Sequence, residues 1–241
     1  MVQTTEAHDP TASATTFPEH PAPLTRLSRN EVESLCLKAA RGAGLPWGLT
    51  EEAGFAAGWL ASRGADGPAV LLAHLTARPE VSDAIAIRDR VWSALKGGSL
   101  CPIALGAALD DHTGLEGGIS AGPVTVVKLR YPGLAVPHLA RIARALNAAL
   151  EVTWNGEAAL ISAEGEMDPD KLNALLDVNE TSLVAARYGA NNPPLAISIT
   201  NHIAPLSAHT LAGLNALSMR TTVPASEVSR RGAGASASDN D

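Results

Sequence analysis

The dipeptide Asn155-Gly156, placed between two apolar runs, is the strongest local constraint in this sequence. The run LEVTW precedes it and the run EAALIS follows it. Both central residues of a type I′ turn need positive φ angles, which asparagine and glycine adopt most easily. The sequence therefore predicts a tight β-hairpin centred on residues 155–156.

Regular elements are predicted on both sides of this hairpin. A β-rich segment, VTVVKLR, begins at residue 124, and the helical pattern PHLARIARALNAAL follows it. Asp168-Pro169 predicts the start of a short helix through Leu176, and SLVAARY then fits a strand. The order β-α-β-β-α-β is that of a ferredoxin-like unit. We predict this unit for residues 122–190, with residues 195–200 as an extra strand.

The first half of the chain shows mainly helical patterns. Ser28 and Glu31 have the spacing of a capping box. A second helix is expected to open near Thr50 and to form a helical hairpin with the first across the loop GAGLPWG. Gly54 and Gly58 lie on one face of this second helix, which lets a neighbouring backbone approach closely. The first helix carries apolar residues at helical spacing: Val32, Leu35, Cys36, Ala39, Ala40 and Ala43.

Two further helices are predicted before residue 97. The segment GPAVLLAHLTA has Pro68 in its first turn. The segment VSDAIAIRDRVWSALKGG has apolar residues at helical spacing: Ala84, Ile87, Val91 and Leu95. Residues 97–123 are Gly-rich and predict a long loop, of a kind that is often functional or mobile. A last helix is predicted near residues 207–218.

Together these patterns predict an α+β (mixed α/β) protein. A mostly helical N-terminal half is followed by a mixed sheet and by a C-terminal helix with a tail. The expected regions are a disordered arm at residues 1–25, a mostly helical region at 26–121, an α/β region at 122–219 and an extension at 220–241.

The overall composition excludes several classes of protein. The formal net charge of −7 argues against a nucleic-acid or anionic-membrane partner, because both need a basic face. Two cysteines cannot build a disulfide framework. No apolar run reaches the roughly 20 residues of a membrane-spanning helix, and the first residues do not resemble a signal peptide. We therefore expect a soluble cytoplasmic protein of bacterial origin.

Two stretches of the chain resemble a known bacterial family. They are LSRNEVESLCLKAARGAGLPWGLTEEAGFAAGWLASRG near the start and RTTVPASEVSRRGAGASASDND at the end. Both are similar to the uncharacterised family DUF3726, most strongly over residues 27–64 and 220–241. The resemblance implies that both ends belong to one folded unit. It supplies no reaction and no cofactor.

The helical hairpin is the first candidate site. Arg41 closes the first helix, Trp47 lies on a stiff loop between proline and glycine, and Glu51 and Glu52 open the second helix. Here Arg41 and Trp47 would bind a small polar metabolite, and either glutamate would act as a general acid or base. The alternative is a capped helical hairpin in which Trp47 is a hydrophobic plug.

Other candidates come from the loops. Asp110, Asp111 and His112 are adjacent and would supply at most two ligands to one metal ion. Nothing local demands a metal, and a solvated acidic turn explains the same residues. His138, His202 and His209 lie far apart in sequence, and a metal site assembled from distant residues stays open. Cys36 lies on an apolar stripe and fits a buried thiol, whereas Cys101 would be more accessible but lacks an identifiable partner. The glycine runs do not fit a nucleotide fingerprint.

The tail is the last candidate. Arg220, Glu227 and Arg230 would bind substrate, and Asp239 and Asp241 would give a dense negative end. Two functions remain open. The first is an enzyme, or an enzyme subunit, that acts on a small polar metabolite. The second is a non-catalytic accessory protein that docks a partner chain through residues 220–241. Small-residue helix faces also favour a homo-oligomer.

Overall fold

The computed structural model describes residues 24–77, 81–189 and 202–221. Within these ranges the chain forms seven α-helices and an eight-stranded mixed sheet. This arrangement confirms the α+β class. The helices are α1 (Arg29–Gly42), α2 (Trp47–Ala61), α3 (Gly67–Thr76), α4 (Pro102–His112), α5 (Val136–Leu146), α6 (Pro169–Leu176) and α7 (Ala208–Ser218). The strands are β1 (Val81–Ser82), β2 (Ile85–Arg88), β3 (Val91–Ala94), β4 (Ser99–Leu100), β5 (Val124–Arg130), β6 (Leu150–Trp154), β7 (Glu157–Ile161) and β8 (Glu180–Arg187).

The β-α-β-β-α-β order along the chain is confirmed, but the ferredoxin-like sheet order is not. The six elements are β5, α5, β6, β7, α6 and β8. The strands lie in the order β1-β4-β5-β8-β6-β7, with β2 and β3 attached to β5 through β3. Strand β8 therefore lies between β5 and β6, antiparallel to both, while β7 is an edge strand. In a ferredoxin-like sheet, β7 would lie beside β5.

The predicted β6–β7 hairpin is present. Trp154 pairs with Glu157 across the turn, and Asn155 and Gly156 have φ angles of 44° and 82°. Asp168 caps α6, accepting hydrogen bonds from the backbone N–H groups of Asp170 and Lys171. Both local predictions are confirmed, because each depends on residues that are neighbours in sequence.

The prediction of a helix over residues 81–98 is wrong. These residues form β1, β2 and β3, and Asp89 and Arg90 make the turn between β2 and β3 with φ angles of 50° and 61°. Trp92 and Ala94 are buried, whereas Val91 and Leu95 of the expected apolar stripe are largely exposed. The helical spacing was coincidental, because the alternation of β3 buries the other set of residues. The turn also lacks the glycine or asparagine that usually marks it.

The long loop expected at residues 97–123 is only partly present, because about half of the segment forms regular structure. It contains β4 and α4, and Pro102 opens α4 in its first turn. Gly106 lies inside α4, where a glycine normally weakens a helix. A Cβ atom at this position would collide with the ring of His138 on α5. The glycine is thus needed for the close packing of α4 on α5.

The N-terminal helices pack largely as predicted. The capping box of α1 is complete, with Ser28 and Glu31 bonded reciprocally. Helix α2 begins at Trp47 rather than near Thr50, whose hydroxyl donates to the Trp47 carbonyl at 2.6 Å. Gly54 lets α1 approach, since an added Cβ would lie 2.8 Å from the Glu33 carbonyl oxygen.

The two ends of the described chain meet beside these N-terminal helices. Thr25, within the arm predicted to be disordered, pairs through its backbone with Leu206 at 2.9 and 2.8 Å. The predicted last helix is α7, in which Leu214 and Leu217 are buried and Leu211 is partly buried. Residues 1–23, the strand predicted at 195–200 and residues 222–241 of the extension lie outside the described residues.

Candidate functional site

Four charged or ionisable side chains come together where helices α2, α4 and α5 meet. They are Glu52 from α2, Asp110 from α4, and His138 and Arg141 from α5, and we call them the three-helix cluster. His138 Nδ1 lies 3.1 Å from Asp110 Oδ2 and 3.7 Å from Glu52 Oε2. One ligand atom from each of Glu52, Asp110 and His138 lies within 4.8 Å of the other two.

The histidine is the buried centre of the cluster. His138 is fully buried, with its ring against Gly106 of α4. The Phe55 ring contacts it edge-on, with 5.6 Å between the centroids. Among the described residues, His138 Nε2 has no hydrogen-bond partner. The ring therefore presents only Nδ1 to the two carboxylates, and α4 and Phe55 hold it in that orientation.

The arginine closes the cluster toward solvent. Arg141 donates a hydrogen bond to Glu52 Oε2 at 3.0 Å and forms an ion pair with Asp110 Oδ2 at 3.0 Å. Its guanidinium carbon lies 4.0 Å from the Phe55 ring centroid. Its side chain is 41% exposed, whereas those of Asp110 and Glu52 are 16% and 27% exposed. The guanidinium is thus the most movable charge in the cluster.

The hydrogen bonds define what the cluster can do chemically. A carboxylate only accepts hydrogen bonds, so Nδ1 of His138 carries the proton that it shares with Asp110. The other ring nitrogen is enclosed by protein and cannot reach a substrate. Proton transfer or ligand binding at this surface therefore falls to the carboxylates of Glu52 and Asp110 and to Arg141. If the proton leaves Nδ1, the same three residues offer one nitrogen and two oxygens to a cation.

Two of the residues predicted from sequence meet in this cluster, although they were assigned to separate sites. Glu52 was a candidate acid or base, and Asp110 was a candidate metal ligand. Their neighbours Glu51 and Asp111 are exposed and lie outside the cluster. His112 donates through Nδ1 to the Ala108 carbonyl at 2.8 Å. The expected ligand set Asp110, Asp111 and His112 is therefore not assembled as one group.

The predicted corner at the helical hairpin is only partly formed. Arg41 lies over the Trp47 ring, with 4.0 Å from the guanidinium carbon to the ring centroid. Trp47 is 59% exposed, so it is not a hydrophobic plug. Arg220 is also exposed, at the end of α7. Glu227 and Arg230, the other predicted substrate-binding residues, lie outside the described residues.

Both cysteines are buried. Burial raises the pKa of Cys36 and that of Cys101 to about 12. Cys101 has a neighbour that the sequence did not reveal, since its sulfur lies 3.5 Å from His74 Nε2. A thiol with so high a pKa carries almost no thiolate at neutral pH, so neither cysteine is a nucleophile in this conformation.

Fold and cluster together define a mixed α+β protein with an acidic and histidine-containing group on its helical layer. Residues 27–97 match the model of a family described as "Protein of unknown function (DUF3726)". This match confirms the family resemblance of the N-terminal stretch and extends it through β3. No curated protein and no solved structure matches the chain. Within the described ranges, no helix is long and apolar enough to cross a membrane.

Proposed function

We propose that this protein is an enzyme, or a subunit of one, that acts on a small polar metabolite at the three-helix cluster. The observation that carries the proposal is the convergence of Glu52, Asp110 and His138 from three separate helices. Active sites are commonly assembled from acid, base and ligand side chains that are distant in sequence and meet in the fold. The proposal places the protein in the bacterial cytoplasm, where small polar metabolites are available.

A divalent cation completes this site. Glu52, Asp110 and His138 provide two oxygens and one nitrogen, a set that suits transition metals such as Mn²⁺ or Zn²⁺ better than Mg²⁺ or Ca²⁺. Three protein ligands leave coordination positions for water and substrate, as catalytic metal sites require. Binding displaces the Nδ1 proton and moves Arg141 away from the carboxylates.

Arg141 has a second role in this proposal. In the structure, its guanidinium neutralises the two carboxylates that would otherwise repel each other. Once a cation takes over this role, the guanidinium is free to donate two parallel hydrogen bonds to a carboxylate or phosphate group of the metabolite. Its partial exposure allows this movement without disturbing the buried ring of His138.

The hypothesis of an accessory protein receives less support. Gly58, one of the small residues thought to favour an oligomer, faces Glu33 of α1 within the same chain. The tail that would dock a partner falls mainly among residues 222–241, outside the described part of the chain. Docking and oligomerisation stay predictions, and size measurement with and without residues 232–241 tests them.

The proposed function is tested by thermal shift with a panel of small polar metabolites, with and without Mn²⁺ or Zn²⁺. Ligands that bind the native state raise the melting temperature. We expect a response in the wild type and in the control Glu51→Gln/Asp111→Asn. The matched variant Glu52→Gln/Asp110→Asn should lose it. No response in the wild type, or an equal response in both double variants, would overturn the proposal.

A further inference from the structure

A cavity lies away from the residues of the three-helix cluster, between α3, α7 and the end of β5. It is a cleft of about 720 Å³, which falls in the range of small-molecule sites. Its walls include Ala69 and Ala73 of α3, Arg130 and Tyr131 at the end of β5, and His209 and Gly213 of α7. The short side chains of Ala69 and Ala73 leave space on the α3 side, whereas Gly213 lets α7 approach Leu72 of α3 closely.

Arg130 is the unusual residue of this cleft. Its Nε atom is buried and has no hydrogen-bond acceptor among the described residues. Arg130 also forms no ion pair there, although its guanidinium carbon lies 5.2 Å from the Tyr131 ring centroid. Nε itself is closed to a water-sized molecule, so an anion in the cleft would pair with the terminal nitrogens of the guanidinium. Such an anion would give the cation the ion-pair partner that it lacks among the described residues.

The backbone next to Arg130 is held in an uncommon conformation. Tyr131 has φ 46° and ψ 62°, in the left-handed region that non-glycine residues rarely adopt. Its N–H donates to the Asn179 carbonyl at 2.8 Å, which fixes this conformation. Such residues often occur at ligand sites. Tyr131 also follows the carboxyl end of β5, which runs parallel to β4, and ligands in α/β sheets commonly bind beyond such strand ends.

We infer that this cleft binds a small organic anion. Arg130 holds the carboxylate or phosphate group, and the side chains of Ala69, Leu72 and Ala73 contact the apolar part of the ligand. Arg130 has no ion-pair partner among the described residues, so it would select negative charge, and the alanine-rich wall favours a short hydrocarbon body over a bare ion. This inference is independent of the proposed function, since it uses none of the residues of the three-helix cluster.

The test uses four probes that share a butyl chain: butyrate, butyl phosphate, butanol and butylamine. Isothermal titration and NMR of the full-length protein would measure their binding, with the Arg130 Nε–H signal as a local reporter. We expect saturable binding of one or both anions and none of the alcohol or the amine. The stronger anion distinguishes a carboxylate ligand from a phosphate ligand. Acetate and inorganic phosphate should bind at least tenfold more weakly than their butyl counterparts.

Variants of the cleft residues test the contributions of charge and of shape to anion binding separately. Arg130→Gln should weaken anion binding at least tenfold, and Arg130→Lys, which keeps the charge, should weaken it less. Ala73→Leu, which fills the cleft, should weaken binding of both butyl anions. Arg187→Gln, at an exposed arginine near the end of β8, is the control and should leave binding unchanged. The inference is overturned if neither anion binds the wild type saturably, if butanol binds equally well, or if the Nε–H signal does not move.

Discussion

The helical hairpin corner and the three-helix cluster use neighbouring residues of α2 but have very different surroundings. At the corner, Arg41 lies on an exposed Trp47, and Glu51 points to solvent. One residue further on, Glu52 meets Asp110 and His138 from two other helices. Successive residues of an α-helix point about 100° apart. A change of one position therefore decides whether a carboxylate is a solvated surface group or part of a partly buried ion-pair network.

The largest difference between the two regions should appear in stability. His138→Ala removes a fully buried ring and the hydrogen bond that it shares with Asp110, so it should lower the free energy of unfolding by roughly 2–4 kcal/mol. Trp47→Ala removes an exposed ring and one cation–π contact, and should cost less than about 1 kcal/mol. Urea denaturation of both variants measures this. Equal losses would mean that the cluster is no better packed than the corner.

Two glycines test the packing of the same two regions. Gly106→Ala places a methyl group against the His138 ring and should destabilise the protein by roughly 1–3 kcal/mol. Gly48→Ala, in the first turn of α2, has no atom within 4 Å of the added methyl group. It should stabilise the protein by up to about 1 kcal/mol, because alanine restricts the unfolded chain. The two substitutions should therefore change the free energy of unfolding in opposite directions. A stabilising Gly106→Ala would contradict the described contact of α4 with α5.

The smallest expected difference between the two regions lies in the coupling energies of their charged pairs. A double-mutant cycle of Glu52→Gln and Arg141→Gln should give a coupling energy of about 0.5 kcal/mol, since both side chains are partly exposed. The same cycle for Glu51 and Arg41 should give a value near zero, because they form no ion pair in the described structure. Thermal or urea denaturation at low salt resolves the two cycles. A larger coupling at the corner would reverse the assignment of the site.

Much of the fold could be predicted from local sequence, because local chemistry determines it. The Asn155-Gly156 turn, the Ser28 capping box and the Asp168 cap depend on residues a few positions apart, and all three are present. The prediction of a helix over residues 81–98 was wrong, because its apolar residues fit helical spacing while tertiary contacts bury Trp92 instead. The position of β8 between β5 and β6 depends on long-range strand pairing, which element order alone does not determine.

The site was predicted only in fragments for the same physical reason. Glu52 and Asp110 were chosen for local reasons, and nothing in their neighbourhoods indicates that the two helices meet. His138 was only one of three histidines that lie far apart in sequence, with His202 and His209, and Arg141 was not considered. The spacing of three residues between His138 and Arg141 puts both on one face of α5. This spacing was the one feature of the sequence that could have linked the two residues. The role of Gly106 depends on packing between helices and has no sequence signature.

The most direct test of the account is Mn²⁺ affinity, measured by the electron paramagnetic resonance signal of the free ion. The wild type and the control Glu51→Gln should bind the ion equally. Glu52→Gln should weaken binding at least tenfold, because it removes a charged ligand. Arg141→Gln should strengthen binding, because the guanidinium that competes for the same oxygens is gone. No binding by any of these proteins, or equal weakening by Glu52→Gln and Arg141→Gln, would show that the cluster is a structural ion-pair network rather than a cation site.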